Sequence, residues 1–369
     1  MCSMSLKVVI ALSGGVDSAI AAFLLKKQGY QLFGVYMQNW DVQLNEENAP
    51  NSFCSKQEDL KYVKEICNKL NIPLQVYNFV PEYWENVFEP YLDLLENSLI
   101  SNPDILCNSR IKFGILLNKL RENYGDDIKI ATGHWARILK EENKYYLARC
   151  SNSSKDQTYF LSRLTEEQLK YIIFPLQDIQ NKEEIRALAK ANDLSVWKRK
   201  DSMGICFIGK REYSSFITNY LPVQEGDLID IDSKEILGKH KGAHLYVLHQ
   251  RGGFALKGYQ ERYYVCSKDV ERNIVYLCRE SRIAKYLYTT ISFCEDPHWI
   301  NDIPALNSIF FVKTRHGGEF LKMKLLTLDN ISCSLEHEAI FTTSPGQYFV
   351  FYDENKNKCL GSAMYKYGK

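Results

Sequence analysis

The residues with the clearest claim to chemistry lie at 11–18: Ala11, Leu12, Ser13, Gly14, Gly15, Val16, Asp17 and Ser18. They sit between a β-branched run and a helical stretch. Two adjacent glycines let a backbone turn tightly, so that successive N–H groups face an anion at a helix N-terminus. Ser13 and Ser18 add hydroxyl donors, and the Asp17 carboxylate could hold Mg²⁺ that bridges phosphates. The lysine of a G-x-x-x-x-G-K-[ST] loop is missing, and so is the G-x-G-x-x-G dinucleotide pattern. A strand–helix turn capped by Ser or Asp is the plainer alternative, but a Ser-Gly-Gly-Val-Asp-Ser string in this place favours phosphate. The second chemical resource is sulfur. The eleven cysteines include no C-x-x-C pair, which argues against a zinc ribbon or disulfide scaffold and for a reducing compartment with one or two working thiols.

The elements that must carry these residues alternate in the first half. Lys7–Leu12, Gln31–Tyr36, Leu74–Phe79 and Ile128–Thr132 read as strands, and Ala19–Gln28, Gln57–Leu70 and Glu82–Leu99 as helices, with Gly29 at a C-cap. That alternation predicts an α/β parallel sheet covered on both faces, with ligands beyond the carboxyl ends of its strands. From about Gly226 short strands dominate: Leu228–Ile231, Leu245–Leu248, Tyr263–Ser267, Ile309–Lys313, Leu321–Leu328 and Tyr348–Tyr352. They predict a small central β-rich domain and a C-terminal β-barrel. The expected division is 1–212, 213–283 and 284–369.

At 369 residues, with 45% hydrophobic and 25% charged, the chain is long enough for two or three folded domains and too apolar to be disordered. No apolar run approaches a membrane span, and no secretory signal or transit peptide is evident. Net charge is +1, but residues 1–100 are acidic while 239–285 are basic, with Tyr246, Phe254, Tyr259, Tyr263 and Tyr264 interleaved. That pattern suits a nucleic-acid footprint or an ordinary solvated sheet.

The Ser13–Ser18 string resembles the nucleotide loop of the PP-loop ATP pyrophosphatases (the adenine-nucleotide alpha-hydrolase-like fold). The order and spacing of five further motifs resemble the tRNA-specific 2-thiouridylases: Met37–Asp41, Asn102–Asn108, Thr132–Arg137, Lys155–Leu161 and Asp201–Gly209. Ser344-Pro345-Gly346-Gln347 matches as well, so the likeness covers nearly the whole chain. It implies a tRNA-uridine 2-sulfurtransferase that uses ATP and Mg²⁺ to adenylate O2 of the wobble uridine and then replaces that oxygen by persulfide sulfur. The resemblance assigns the persulfide to Cys206, the nucleophile to Cys107, and a Cys107–Cys206 disulfide to the state after turnover. It places Ala11–Ser18, Met37 and Gly133 at ATP, with Asp17 catalytic and on the metal, and Asn102, Pro103 and Asp104 at the target uridine. His134, Lys155, Asp156, Gln157, Arg315, His316 and Gln347 would touch tRNA, the last three letting the barrel reach the anticodon stem-loop. A monomer supplied by a persulfide carrier or cysteine desulfurase, with no membrane partner, completes the expectation.

Several positions stay open. His134 could instead hold a strand end, Lys155–Gln157 could be a polar turn, and Lys182–Arg211 reads as a basic surface or a solvated helix. His249 stands where the family commonly has glycine. Trp135 and His316 stand where it often has tyrosine, keeping flat rings for stacking. The segment from Asp201 to Arg211 resembles the mitochondrial branch, which implies a mitochondrial enzyme, otherwise a cytoplasmic one. Asp104, Cys107 and Cys206 could also ligate an iron–sulfur cluster. An amidating ligase of the same loop family and a non-catalytic RNA-binding protein are the competing functions.

Overall fold

The computed structural model describes residues 6–40, 53–200, 216–252, 254, 256 and 261–369. Its first seven strands are β1 (Lys7–Ala11), β2 (Gln31–Gln38), β3 (Leu74–Asn78), β4 (Lys129–Thr132), β5 (Arg137–Glu141), β6 (Lys144–Ala148) and β7 (Ile172–Ile173). Five of them form a parallel sheet in the order β3-β2-β1-β4-β7. Alternation along β1 sets the two cores. Val8 and Ile10 pack with helices α1 (Val16–Lys27), α2 (Phe53–Leu70) and α3 (Lys182–Ala191), while Val9 faces Phe79, Phe88, Ile105 and Leu117. The chain leaves β1 toward β2 and β3 and later returns to β4 on the other side. The crevice at such a reversal, beyond the strand ends, is where sheets of this type bind ligands.

The expected helix over 82–99 is broken into Val80–Tyr83, a π-helical turn Trp84–Phe88 and Glu89–Glu96. Pro90 is the cause: it has no N–H for the carbonyl of Asn86. Arg110 Nη1 donates to that carbonyl instead, at 3.0 Å. A second helical run spans 103–124, opening at Pro103–Leu106, widening to a π-helix over Cys107–Ile115 and closing at Leu116–Tyr124.

The central sheet joins β8 (Gly226–Asp230), β9 (Ile236–His240), β10 (Tyr263–Asp269) and β11 (Ile274–Arg279) in the order β10-β11-β8-β9. The expected strand Leu245–Leu248 is absent. A 3-10 turn, Ala243–Leu245, stands there, and side chains rather than a ladder take the next backbone groups. Lys268 Nζ donates to Tyr246 O at 2.9 Å, and Leu248 N donates to Ser344 Oγ at 3.2 Å. The basic excess of this region is largely spent on its own acids: Lys239, Arg262, Arg272, Arg279, Arg282 and Lys285 all form ion pairs at 2.6–4.0 Å.

The last six strands, β12 (Tyr288–Trp299), β13 (Ile309–Lys313), β14 (Leu321–Leu328), β15 (Ser332–Phe341), β16 (Tyr348–Tyr352) and β17 (Lys358–Gly368), follow the order β12-β15-β14-β13-β16-β17. A β12–β17 pairing closes them into a barrel. Strand β17 also pairs with β6, Lys358 opposite Ala148 and Cys359 opposite Leu147. The β5–β6 hairpin of the first half is therefore hydrogen-bonded to the barrel.

Candidate active site

The loop after β1 keeps its anion-binding groups available. Gly14 has φ +76°, a conformation that glycine adopts without penalty, and Gly15 caps α1 with no side-chain hydrogen bond to its first turn. Ser18 Oγ donates to Gly15 O at 3.0 Å, while Gly15 N donates to Ser13 Oγ at 3.4 Å. Both hydroxyls thus brace the turn. Gly133, just past β4, closes the crevice: a Cβ there would stand 2.6 Å from Ser18 N and 2.8 Å from Asp17 C. Only glycine lets β4 approach the helix N-terminus so closely.

Two cations bear on this loop, neither marked in the sequence by more than a basic stretch. Lys182 Nζ lies 2.6 Å from Asp17 Oδ1. Arg199 Nη1 donates to Gly14 O at 2.7 Å, pairs with Asp59 and covers the Tyr62 ring at 4.7 Å. The 182–199 region is therefore half anchored at the nucleotide loop rather than simply solvated. Asp17 on its own fits only as one carboxylate of a magnesium site completed by phosphates, in competition with Lys182. Among the described residues no group of three His, Cys, Asp or Glu side chains is placed to hold a metal. Cys206, and with it the disulfide and the iron–sulfur alternative, lies outside the described residues.

Cys107 opens the π-helical stretch and is 1% exposed, packed with Met37, Trp40, Ile105 and Ile111. The helix that leads to it is capped by Asn102, whose Oδ1 accepts from Asp104 N at 3.0 Å with Pro103 in the first turn. Asn39 Nδ2 lies 3.9 Å from Cys107 Sγ. Met37, on β2, thus belongs to the wall behind the thiol. His134 shares a 2.8 Å bond with Thr132 Oγ1. Burial, helped by the Lys112 ammonium, pushes its imidazole well below the usual range, so it is neutral at pH 7.

The other expected contacts divide. Arg315 and His316 are exposed on the turn after β13, and the His316 ring lies 4.5 Å from Phe160. Lys155 is half-buried. Asp156 is 4% exposed, and its carboxylate is committed to Thr158, Arg149 at 3.3 Å and Lys313 at 3.8 Å, so it ties the first half to the barrel instead of facing outward. Gln157 exchanges bonds with Trp135, N to O at 2.8 Å and Oε1 from N at 3.0 Å. Trp135 itself is 1% exposed and cannot serve as a stacking surface. Gln347 Nε2 donates to Ile100 O at 2.5 Å, and Ile100 N donates to Pro345 O at 2.7 Å. The Ser344–Gln347 turn thus grips the chain just ahead of Asn102. His249 does occupy a glycine-like conformation, φ +70°, held by Thr342 Oγ1 at 2.8 Å and the Phe341 ring at 3.8 Å.

Three family profiles cover the chain: one described as a tRNA methyl transferase HUP domain at residues 6–210, a tRNA methyl transferase PRC-barrel domain at 214–279, and an aminomethyltransferase beta-barrel domain at 290–365. A curated tRNA-specific 2-thiouridylase MnmA of Malacoplasma penetrans is 40% identical over 368 residues, 98% of each chain. The enzyme of the same name from Mycoplasmopsis synoviae is 39% identical, covering 97% of this chain and 94% of its own, and that of Mycoplasma capricolum is 43% identical over 81% of each. These relatives are bacterial and lend the mitochondrial likeness no support. A solved 4-thiouridine synthetase–RNA complex with bound ATP aligns only loosely, at TM-score 0.32 and 18% identity over 56% of this chain and 46% of that one. Full-length identity to the curated enzymes carries the assignment: the chain belongs to the tRNA-specific 2-thiouridylase family.

Proposed function

We propose that this protein is a tRNA-uridine 2-sulfurtransferase acting on the wobble base, with ATP as the activating substrate. The observation that carries the reading is the placement of an uncapped, glycine-turned helix N-terminus and a buried cysteine at one end of one parallel sheet, in a chain matched end to end by 2-thiouridylases. In this scheme O2 of the uridine attacks the α-phosphorus, and the bond to the bridging oxygen breaks with its electron pair leaving on pyrophosphate. The terminal sulfur of a Cys206 persulfide then attacks C2, and the C2–O2 bond breaks with its pair leaving on AMP. Cys107 attacks Cys206 Sγ and expels the sulfur, now on the base, leaving a Cys107–Cys206 disulfide that an external thiol must reduce.

The target base must leave its stack to reach a thiol this deep. Asn102, Pro103 and Asp104 stand before it at the helix start and are assigned to the base. His134, neutral, is assigned to the pocket wall, and Lys155, Arg315 and His316 to the RNA backbone. Asp156, Gln157 and Gln347 act on RNA through the segments they brace. Mg²⁺, held by Asp17 and phosphates, would neutralise charge on the triphosphate. A monomer fed by a persulfide carrier or cysteine desulfurase is part of the proposal, and a mitochondrial location is not.

The test is sulfur incorporation into unmodified tRNA with ATP, Mg²⁺ and a cysteine desulfurase with cysteine as persulfide donor, read as retardation on a mercury gel. An ATP-dependent retarded band is the expected result. Folded protein that binds tRNA but gives neither that band nor tRNA-stimulated AMP release overturns the reading. Methyl transfer, the word in the matched profiles' descriptions, is the second reading, and labelled methyl incorporation without ATP would favour it.

A further inference from the structure

Lys112 is 8% exposed on the π-helical stretch that begins at Cys107. Its Nζ donates to Asn108 Oδ1 at 2.7 Å, and among the described residues no carboxylate comes within ion-pair distance. The other buried lysine, Lys313, has a carboxylate partner, Asp156 at 3.8 Å, and so has the half-buried Lys182, with Asp17 at 2.6 Å; the half-buried Lys268 has two carbonyls, Ser98 O at 3.0 Å and Tyr246 O at 2.9 Å, where Lys112 has one amide oxygen. An ammonium left with one neutral acceptor has given up hydration that its protein partner does not fully replace. A group kept at that cost calls for an anion that arrives with a ligand.

Its surroundings say which anion. Phe113, the next residue after Lys112, has its ring 6.0 Å from that of His134, which follows Gly133, the residue pressed against Asp17 and Ser18 at the nucleotide loop. Asn108, which holds the ammonium, follows Cys107 and is itself fixed by a 3.0 Å bond from Nδ2 to Phe160 O. Lys112 thus stands between the strand end that meets the phosphate loop and the helical turn that carries the thiol. His134, neutral, offers no charge of its own.

Building on the proposed function, we propose that Lys112 is a catalytic residue of the nucleotidyl step, its ammonium pairing with a non-bridging oxygen of the α-phosphate. It holds that phosphate while the O2–P bond forms and pyrophosphate leaves, and again when the C2–O2 bond breaks and the electron pair departs with AMP. Lys112 gains and loses no proton. It supplies the fixed positive charge that the G-x-x-x-x-G-K-[ST] lysine supplies in loops of the other kind.

The test compares Lys112→Gln, which can still donate to Asn108 without a charge, and Lys112→Met with the wild type, using saturating ATP labelled at the α-phosphate, unmodified tRNA and a cysteine desulfurase with cysteine as persulfide donor. Single-turnover release of AMP and thermal unfolding are both read. Both variants are expected to unfold at or above the wild-type temperature, because an uncompensated charge is gone. AMP release should fall by about 100-fold, the scale of losing one preorganised charge donor. Lys112→Gln within threefold of the wild type overturns the proposal. Loss of AMP release in both variants together with unfolding many degrees lower also overturns it, since Lys112 would then be a structural brace. Wild-type protein that releases no AMP with tRNA defeats the parent reading instead, a separate outcome.

Discussion

The two halves of the molecule handle polarity in opposite ways. In the barrel, polar side chains mostly meet one another: the buried Ser292 and His337 at 2.8 Å, and Thr327 and Ser334 at 2.6 Å, while Ser362 Oγ has no partner among the described residues. Around the carboxyl ends of the parallel strands they are left short. Lys112 has one neutral acceptor, Asn39 Oδ1 and Trp135 Nε1 have no partner among the described residues, and α1 begins without a side-chain cap. A folded protein retains buried polar groups at a cost unless they are bonded. The barrel bonds most of the groups named here, and the carboxyl edge of the sheet keeps several unsatisfied where a ligand is to complete them.

The comparison can be broken at either end. The largest expected effect is at sulfur: Cys107→Ser should abolish thiolation on the mercury gel while tRNA binding by filter retention stays within twofold. Thiolation at an ordinary rate would remove Cys107 from the chemistry. Next, Gly133→Ala drives a methyl to 2.6 Å from Ser18 N and should cut AMP release by roughly 100-fold through a displaced loop, measured at saturating ATP. At the seam between the halves, Asp156→Asn takes the carboxylate from the buried Lys313 and the half-buried Arg149. It should cost about 3–5 kcal/mol in urea unfolding, a loss that an outward-facing, RNA-contacting aspartate would not produce.

Smaller changes sharpen the contrast. Gln347→Ala removes one bond to Ile100 O and should cost about 1 kcal/mol, lowering kcat for thiolation with KM for tRNA unchanged. A raised KM with kcat intact would instead make Gln347 an RNA contact. At ordinary pH no effect is expected at His249, where burial depresses the imidazole to about 4. The unfolded chain takes up that proton near the ordinary histidine value, so stability is present above about pH 6.5 and is lost as pH falls toward 4. His249→Asn, which tolerates the positive φ, should flatten that acid limb in thermal unfolding.

How much of this was legible in the sequence follows from range. The nucleotide loop was legible because strand, glycines and helix are contiguous, and the parallel order followed from their alternation. Strands β13, β14 and β16 were legible as apolar runs between turn residues. The partners of the loop were not, because Lys182 and Arg199 return to Asp17 and Gly14 only through the packing of α3 against α1. The Leu245–Leu248 run misled because its backbone groups are claimed by Lys268 and Ser344, neither close in sequence. Asp156 looked like a surface residue between Lys155 and Gln157, and only the barrel's Lys313 turns it into a buried tie. The β5–β6 hairpin did leave a signal, alternating residues around Glu142-Asn143, and Glu142 takes the positive φ of +51° that such a turn demands.

That hairpin also sets a clock on biosynthesis. Strand β6 ends at Ala148, yet its neighbour Lys358 lies in β17, which in turn closes the barrel against β12. A chain emerging from the ribosome exposes the hairpin edge long before its partner is made, and contacts of such sequence separation form late. The nucleotide loop and its sheet can assemble early, whereas the grip on Ile100 and the tie at Asp156 wait for the final strands. An enzyme that consumes ATP is thereby completed last at the place where its thiol helix is braced, so a partly synthesised chain lacks the bracing that its reaction needs.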